Sequence, residues 1–418
     1  MSENLNSTTE PLPVSSEVSP RKPRLGWLDA LRGFTMLLVV TNHVALKSFG
    51  MQIRWSAALQ FFLLFRMPLF FFISGFLAYK ASRVWNARTL GELTLKKMRV
   101  QIIPTVVFFL LFLAMVPTTP FLHNLDEALA SSMKAGYWFT IVLLYMLLTF
   151  YLFSYVESKL FRGYEGTGAR GRENRSSADT HAKGILVPSA SNEAVPRTPT
   201  PPILILLLFI VSLCMFETCY LPRHFSWALG YKGQPNEFLN YTSLVEMFRY
   251  FPFFLYGAIV HRYWERAQRL MDSRWFFPVL VVLALLTTLE VIKWHNLRLE
   301  WASLPHTLAM FLLLTMVFMF FRHYSDFFSD KTALGRGLQF IGRRTLDIYL
   351  LHYIFLPRIP AVGVWLNENR PDFVTGTALC VALALLVIAF CLITSSLLRI
   401  SPLFQEHLFG VKQTKEAS

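Results

Sequence analysis

The chain has 418 residues, of which 54% are hydrophobic and only 16% charged. That balance excludes an ordinary soluble globular protein of this length and suits a multi-pass membrane protein. The formal charge of +14 would fit nucleic-acid binding, but the basic residues follow a membrane-topology pattern, so nucleic acid is not expected as a partner.

Residues 1–26 are polar and rich in Ser, Thr and Pro, and no small-residue cleavage site follows the first apolar run. They are expected to form a cytoplasmic tail before a first span that stays in the membrane. Ten apolar stretches are long enough to cross a bilayer: 27–47, 57–79, 101–117, 137–157, 202–220, 246–263, 276–293, 304–321, 337–356 and 373–398. The expected fold is therefore an all-α integral membrane protein with ten transmembrane helices. With the N-terminus in the cytoplasm, the cytoplasmic segments hold about three times as many Lys and Arg as the opposite loops. Both termini then face the cytoplasm, residues 27–398 form the membrane domain, and 399–418 form a second tail.

The first span reads LDALRGFTMLLVVTNHV and carries Asp29, Arg32 and His43. Eleven residues at about 100° each place Arg32 and His43 on one helix face, roughly 16 Å apart, with Asp29 on the same face. Ionisable groups within a span are costly and point to function. Taken singly, the histidine could be an interhelical link and the arginine could snorkel to the interface. Taken together, a neutral imidazole near a carboxylate and a guanidinium can accept a proton from a hydroxyl, and the guanidinium suits an anion. In the second span, LLFRMPLFFFISGFLAY, Arg66 lies too deep to snorkel and calls for an internal partner or a polar cavity. Ser74 and Gly75 suit close helix packing.

Residues 80–100 mix basic and apolar positions at helical spacing, including Lys97 and Arg99. They suit an interfacial helix on anionic headgroups or a basic mouth for an anionic cytosolic donor. Residues 159–201 are rich in Gly, Ser, Arg and Pro, and a disordered cytoplasmic loop is expected. Glu246 and Arg249, three residues apart, can pair with each other. The stretch IGRRTLDIYLLHY (341–353) adds Arg343, Arg344, Asp347, Tyr349 and His352. Singly, such residues are more often interfacial anchors or interhelical links. The cysteines Cys214, Cys219, Cys380 and Cys391 all lie in apolar runs and form no metal-ligand pattern, so no metal is expected. No P-loop, GxSxG or HExxH pattern occurs.

These residues resemble the acyltransferase 3 family of integral membrane acyltransferases. The family hallmark is a basic residue, ten intervening residues and a histidine in the first span, matched by Arg32 and His43. RMPLFFFISGFL (66–77), KKMRVQIIP (96–104), FPFFLYGAIV (251–260) and IGRRTLDIYLLHY are similar to later family segments, in the same order. Many relatives carry histidine where Arg66 stands, and Gln101 occupies a position where arginine is common. The resemblance implies transfer of a short acyl group, acetyl in the first instance, from cytoplasmic acyl-CoA to a hydroxyl of an extracytoplasmic envelope glycan. It implies His43 as general base or transient acyl carrier, Arg32 as donor clamp or oxyanion stabiliser, and Asp29 as the partner of Arg32. Arg66, Lys97, Arg99, Ser74, Tyr349 and His352 are the expected donor- or substrate-binding positions. Some relatives carry an extracytoplasmic hydrolase-like domain, so this chain is expected to act alone or with a separate extracytoplasmic partner in the cell membrane. The alternatives are a transporter or flippase for an anionic solute or glycan, and a structural subunit of an envelope-assembly complex.

Overall fold

The computed structural model describes residues 25–51, 57–116, 120–180, 202–220, 237–297, 303–369 and 373–401. Every regular element among them is helical. In chain order these are α1 (Gly26–His43), α2 (Ala57–Ala78), α3 (Ala87–Lys97), α4 (Ile103–Ala114), α5 (Phe121–Ala130), α6 (Trp138–Thr180), α7 (Ile203–Tyr220) and α8 (Glu237–Thr242). There follow α9 (Leu244–Arg262), α10 (Trp264–Met271), α11 (Phe276–Leu297), α12 (Ser303–His323), α13 (Ala333–Arg343), α14 (Thr345–Phe355), α15 (Pro360–Asn369) and α16 (Phe373–Leu398).

Each stretch expected to span the membrane coincides with a helix or a helix pair, with three changes of boundary, one of them the continuation of α6 past residue 157 to Thr180. The stretch 101–117 belongs to a longer rod, Ala87–Ala114, in which α3 and α4 are joined by the π turn Met98–Ile102. Pro104 has no N–H to offer the carbonyl one turn back, so the ladder must adjust near it. Residues 337–356 do not form one helix. The chain breaks at Arg344, where Arg343 turns to Asp29 and Gln339 while Arg344 donates to Ser396 Oγ at 2.6 Å. These polar partners hold the two arginines at the junction instead of inside an apolar run.

By length and composition, Ala87–Ala114, Trp138–Phe161, Pro305–His323 and Val374–Leu398 can each cross a membrane. Two bent pairs, α10 with α11 at 82° and α14 with α15 at 88°, raise the number of candidates among the described residues to six. Helices α1 and α9 are long enough, but their ionisable residues make them too polar to pass on hydropathy. Apolar side chains cover the outside of the molecule, among them Leu207 and Ile210 on α7, Leu285 and Leu289 on α11, and Phe390 and Ile393 on α16. So continuous an exposed apolar surface suits hydrocarbon rather than water.

Helix α1 is central, packing against α2, α12, α13, α14 and α16. Its closest crossing is with α13, where Gly33 faces the Leu338 carbonyl and Gly342 faces that of Asp29, leaving no room for a Cβ on either glycine. Gly75 of α2 and Gly257 of α9 meet backbone in the same way, which accords with the packing role read for Gly75. Helix α6 is tied to α9 by a buried two-pronged ion pair, with Arg262 donating to both carboxylate oxygens of Glu157 at 3.0 Å. The expected cytoplasmic tails lie outside the described residues, apart from residues 25–26 and 399–401. Of the expected loop 159–201, residues 159–180 continue α6 as helix, and 181–201 lie outside the described residues.

Candidate functional site

His43 is the last residue of α1, and the helix widens into a π turn at Val44–Ser48 immediately after it. Such one-turn π segments often mark functional positions. The turn brings the imidazole against α14. The two histidine rings are nearly coplanar, 9° apart, and His43 Nδ1 lies 2.8 Å from His352 Nε2.

The direction of that hydrogen bond follows from the next link. His352 Nδ1 faces two backbone carbonyls, Tyr349 O at 2.8 Å and Ile348 O at 3.1 Å. A carbonyl only accepts, so Nδ1 carries the proton and Nε2 of a neutral His352 must accept. His43 therefore donates from Nδ1–H, which leaves the lone pair on its Nε2. That nitrogen accepts a hydrogen bond from the Tyr353 hydroxyl at 3.2 Å. The chain of bonds runs from Tyr353 through His43 and His352 to the backbone of α14.

His43 and Tyr353 line a cavity of about 930 Å³ together with Asn42, Arg66, Tyr250 and Tyr349. Its apolar walls include Met36, Phe70, Trp138 and Phe139, and Lys47, Glu127 and Arg358 also line it. Arg66 is only 8% exposed, and its Nε and Nη1 find no hydrogen-bond partner among the described residues. Asn42 Oδ1 is likewise buried without a partner. A shielded guanidinium with unmet donors is costly unless something anionic or strongly polar is to meet it. Beside an imidazole whose accepting nitrogen is met only by the Tyr353 hydroxyl among the described residues, it supplies a fixed positive charge where negative charge can develop.

Another part of the wall is a tight loop, 131–137, pinned from several sides. Lys134 Nζ donates to three carbonyls, those of Leu129, Ser131 and Asn240, at 2.6, 2.7 and 2.9 Å. Loss of surrounding water lowers the Lys134 pKa to about 8, while the three carbonyls favour the ammonium form, so it is charged at neutral pH. Tyr349 accepts from the Phe139 N–H at 3.1 Å and donates to the Gly136 carbonyl at 2.8 Å. Gly136 has φ +107°, and a Cβ there would run into the Tyr353 ring. Only glycine meets both demands.

The polar end of α1 forms a separate cluster. Arg32 lies 3.6 Å from Asp29 and donates to Thr345 Oγ1 at 3.0 Å, while Arg343 lies 3.4 Å from the other Asp29 oxygen. Lys97 is within electrostatic reach of Lys80, Arg83, Lys96 and Arg32, so this end of the helix is strongly basic. Neither Arg32 nor Asp29 lines the cavity, whose lining reaches along α1 as far as Met36, about one turn away.

The structure thus gathers His43, Arg66 and Tyr349 at one cavity, with His352 behind His43, and Asp29, Arg32 and Lys97 at the opposite end of α1. Two expected positions join neither group: Arg99 is exposed, and Ser74 Oγ donates to the Phe70 carbonyl of its own helix at 2.9 Å. Glu246 and Arg249 pair as expected, at 3.2 Å. The sequence reading did not single out Tyr353, although it directly follows His352, or the 131–137 loop, which has no motif. No group of three or more His, Cys, Asp or Glu suited to a metal occurs among the described residues.

A family model described as an acyltransferase domain, that of acyltransferase 3, matches residues 25–395. No curated protein and no solved structure matches the chain. The matched region takes in both polar clusters and the whole cavity lining.

Proposed function

The chain belongs to the acyltransferase 3 family, and from that premise we propose that it transfers a short acyl group, acetyl in the first instance, from acyl-CoA to a hydroxyl of an envelope glycan. The proposal includes ten spans in the cell membrane with both termini cytoplasmic, which puts the Arg32 end inside and the His43 cavity outside. Acyl-CoA then arrives at the basic cluster of Lys80, Arg83, Lys97 and Arg32, where its phosphates meet positive charge. Its pantetheine arm runs along α1 towards His43.

In the reaction, the acceptor hydroxyl takes the place of the Tyr353 hydroxyl at His43 Nε2. The imidazole removes its proton while the oxygen attacks the thioester carbonyl. Arg66 stabilises the negative oxygen that develops there. The carbon–sulfur bond breaks and the departing thiolate takes the proton back from His43, so that ester and free thiol leave a neutral imidazole. Asp29 holds Arg32 in place for the donor.

One observation carries this reading above the rest: an accepting imidazole nitrogen at the same cavity as a buried guanidinium, two of whose nitrogens have no partner among the described residues. Membranes containing the protein, supplied with labelled acetyl-CoA and envelope glycan, test it. His43→Ala should lower glycan labelling by about 10²- to 10⁴-fold, the usual contribution of a general base. Undiminished labelling by a folded His43→Ala protein would refute the assignment, and solute flux without acyl transfer would move the protein to the transporters.

A further inference from the structure

Resting on the reading of His43 as the base, we infer that His352 is a positioning residue that sets which nitrogen of His43 receives the proton. His352 itself does not line the cavity and is completely buried. A buried polar ring needs its hydrogen bonds met, and all three available to it are accounted for: two carbonyls of its own helix and His43.

That arrangement gives His352 one orientation and one neutral tautomer. Both carbonyl acceptors lie on the Nδ1 side, one turn and slightly less before it in α14, so the helix backbone itself fixes the ring. With Nδ1 committed as donor, Nε2 offers only a lone pair towards α1. His43 can answer that lone pair only with Nδ1–H. Without His352, an isolated neutral imidazole can carry its proton on either nitrogen, and the Nε2–H form has no lone pair facing the cavity. It would be inert as a base towards anything bound there.

A neutral histidine thus does for His43 what a carboxylate commonly does for a catalytic histidine. It holds the ring and selects the tautomer. It differs in adding no negative charge, which suits a cavity already shared by Arg66: a carboxylate at this place would pair with the guanidinium and cancel the charge needed at the reacting oxygen. His352 acts only through His43 and touches no substrate.

The test pairs two variants of the full-length protein. His352→Gln can still present an accepting oxygen near the lost Nε2, whereas His352→Leu fills space but offers no acceptor. With the acetyl-CoA and glycan assay, His352→Leu should lower kcat on the order of 100-fold with little change in KM, as expected when a catalytic group is misplaced. His352→Gln should recover at least about a tenth of the wild-type rate on the same scale. Solid-state NMR of protein labelled with ¹³C,¹⁵N-histidine reads the tautomer directly, using the signal absent from His43→Ala. The Nδ1–H form is expected in the wild type and in His352→Gln, and a mixture of forms in His352→Leu. An Nε2–H signal for wild-type His43, or a wild-type kcat in His352→Leu alongside an inactive His43→Ala, overturns the inference. Full activity in His43→Ala instead overturns the assignment of the base.

Discussion

Arg66 is the residue at which stability and activity are most openly opposed. Its guanidinium is buried in α2, and two of its nitrogens have no partner among the described residues. Each unmet donor costs about 1–3 kcal/mol when shielded from water. Arg66→Met should therefore raise the thermal midpoint in detergent, because it removes buried charge with modest loss of volume. The same change should lower acyl transfer by about 10²- to 10³-fold, the usual loss when one oxyanion donor is removed. A variant that loses stability along with activity would mean that Arg66 is structural. Arg32 presents a different case. It is anchored by Asp29 and Thr345 and is partly exposed, so the folded protein already satisfies it. The two arginines were both plausible anion ligands in the sequence; burial and partnering separate them.

At the scale of elements, the site depends on how closely α1, α13 and α14 approach. Gly33 and Gly342 let α1 and α13 touch backbone to backbone, and α14 continues from α13 to bring His352 to His43. Gly33→Leu should separate these helices and abolish activity, even though leucine is the better helix former and the more apolar residue. Gly337→Ala is the control, since a Cβ there meets nothing within 4 Å; activity should be unaffected. A second device is the Glu157–Arg262 pair between α6 and α9. Its side chains are 10% and 4% exposed, so removing one partner strands a buried charge. Glu157→Ala should destabilise the protein by about 3–5 kcal/mol, and Glu157→Leu combined with Arg262→Met should recover most of that loss. Thermal unfolding of the single and double variants checks the difference.

At the scale of the molecule, the two polar clusters lie towards opposite ends of α1, and the proposed topology puts them on opposite sides of the membrane. Cysteines introduced at Lys96 and at Arg358 should react with a membrane-impermeant thiol reagent from opposite sides of sealed vesicles: Lys96 from the cytoplasmic side, Arg358 from the other. Labelling of both from one side would rule out the ten-span arrangement. A bilayer of about 30 Å of hydrocarbon accounts for the apolar exterior, since only helices satisfy their own backbone there.

Apolar runs of span length placed the long helices, though not short ones such as α5, α8, α10 and α15, because in hydrocarbon the backbone must close its hydrogen bonds locally and so the structure follows the local sequence. The spacing of Asp29, Arg32 and His43 was also legible, since helical periodicity is a local property. The break at Arg344 was not, because it depends on Asp29 and Ser396 from elsewhere in the chain. Nor was the pairing of His43 with His352, residues 309 positions apart, or the capping of His43 by Tyr353. Composition and periodicity determined that this is a helical membrane protein with charge buried in its first span. Which of those charges meet at one cavity was decided only by helix packing, because side chains distant in sequence become neighbours through close backbone contacts that no local pattern specifies.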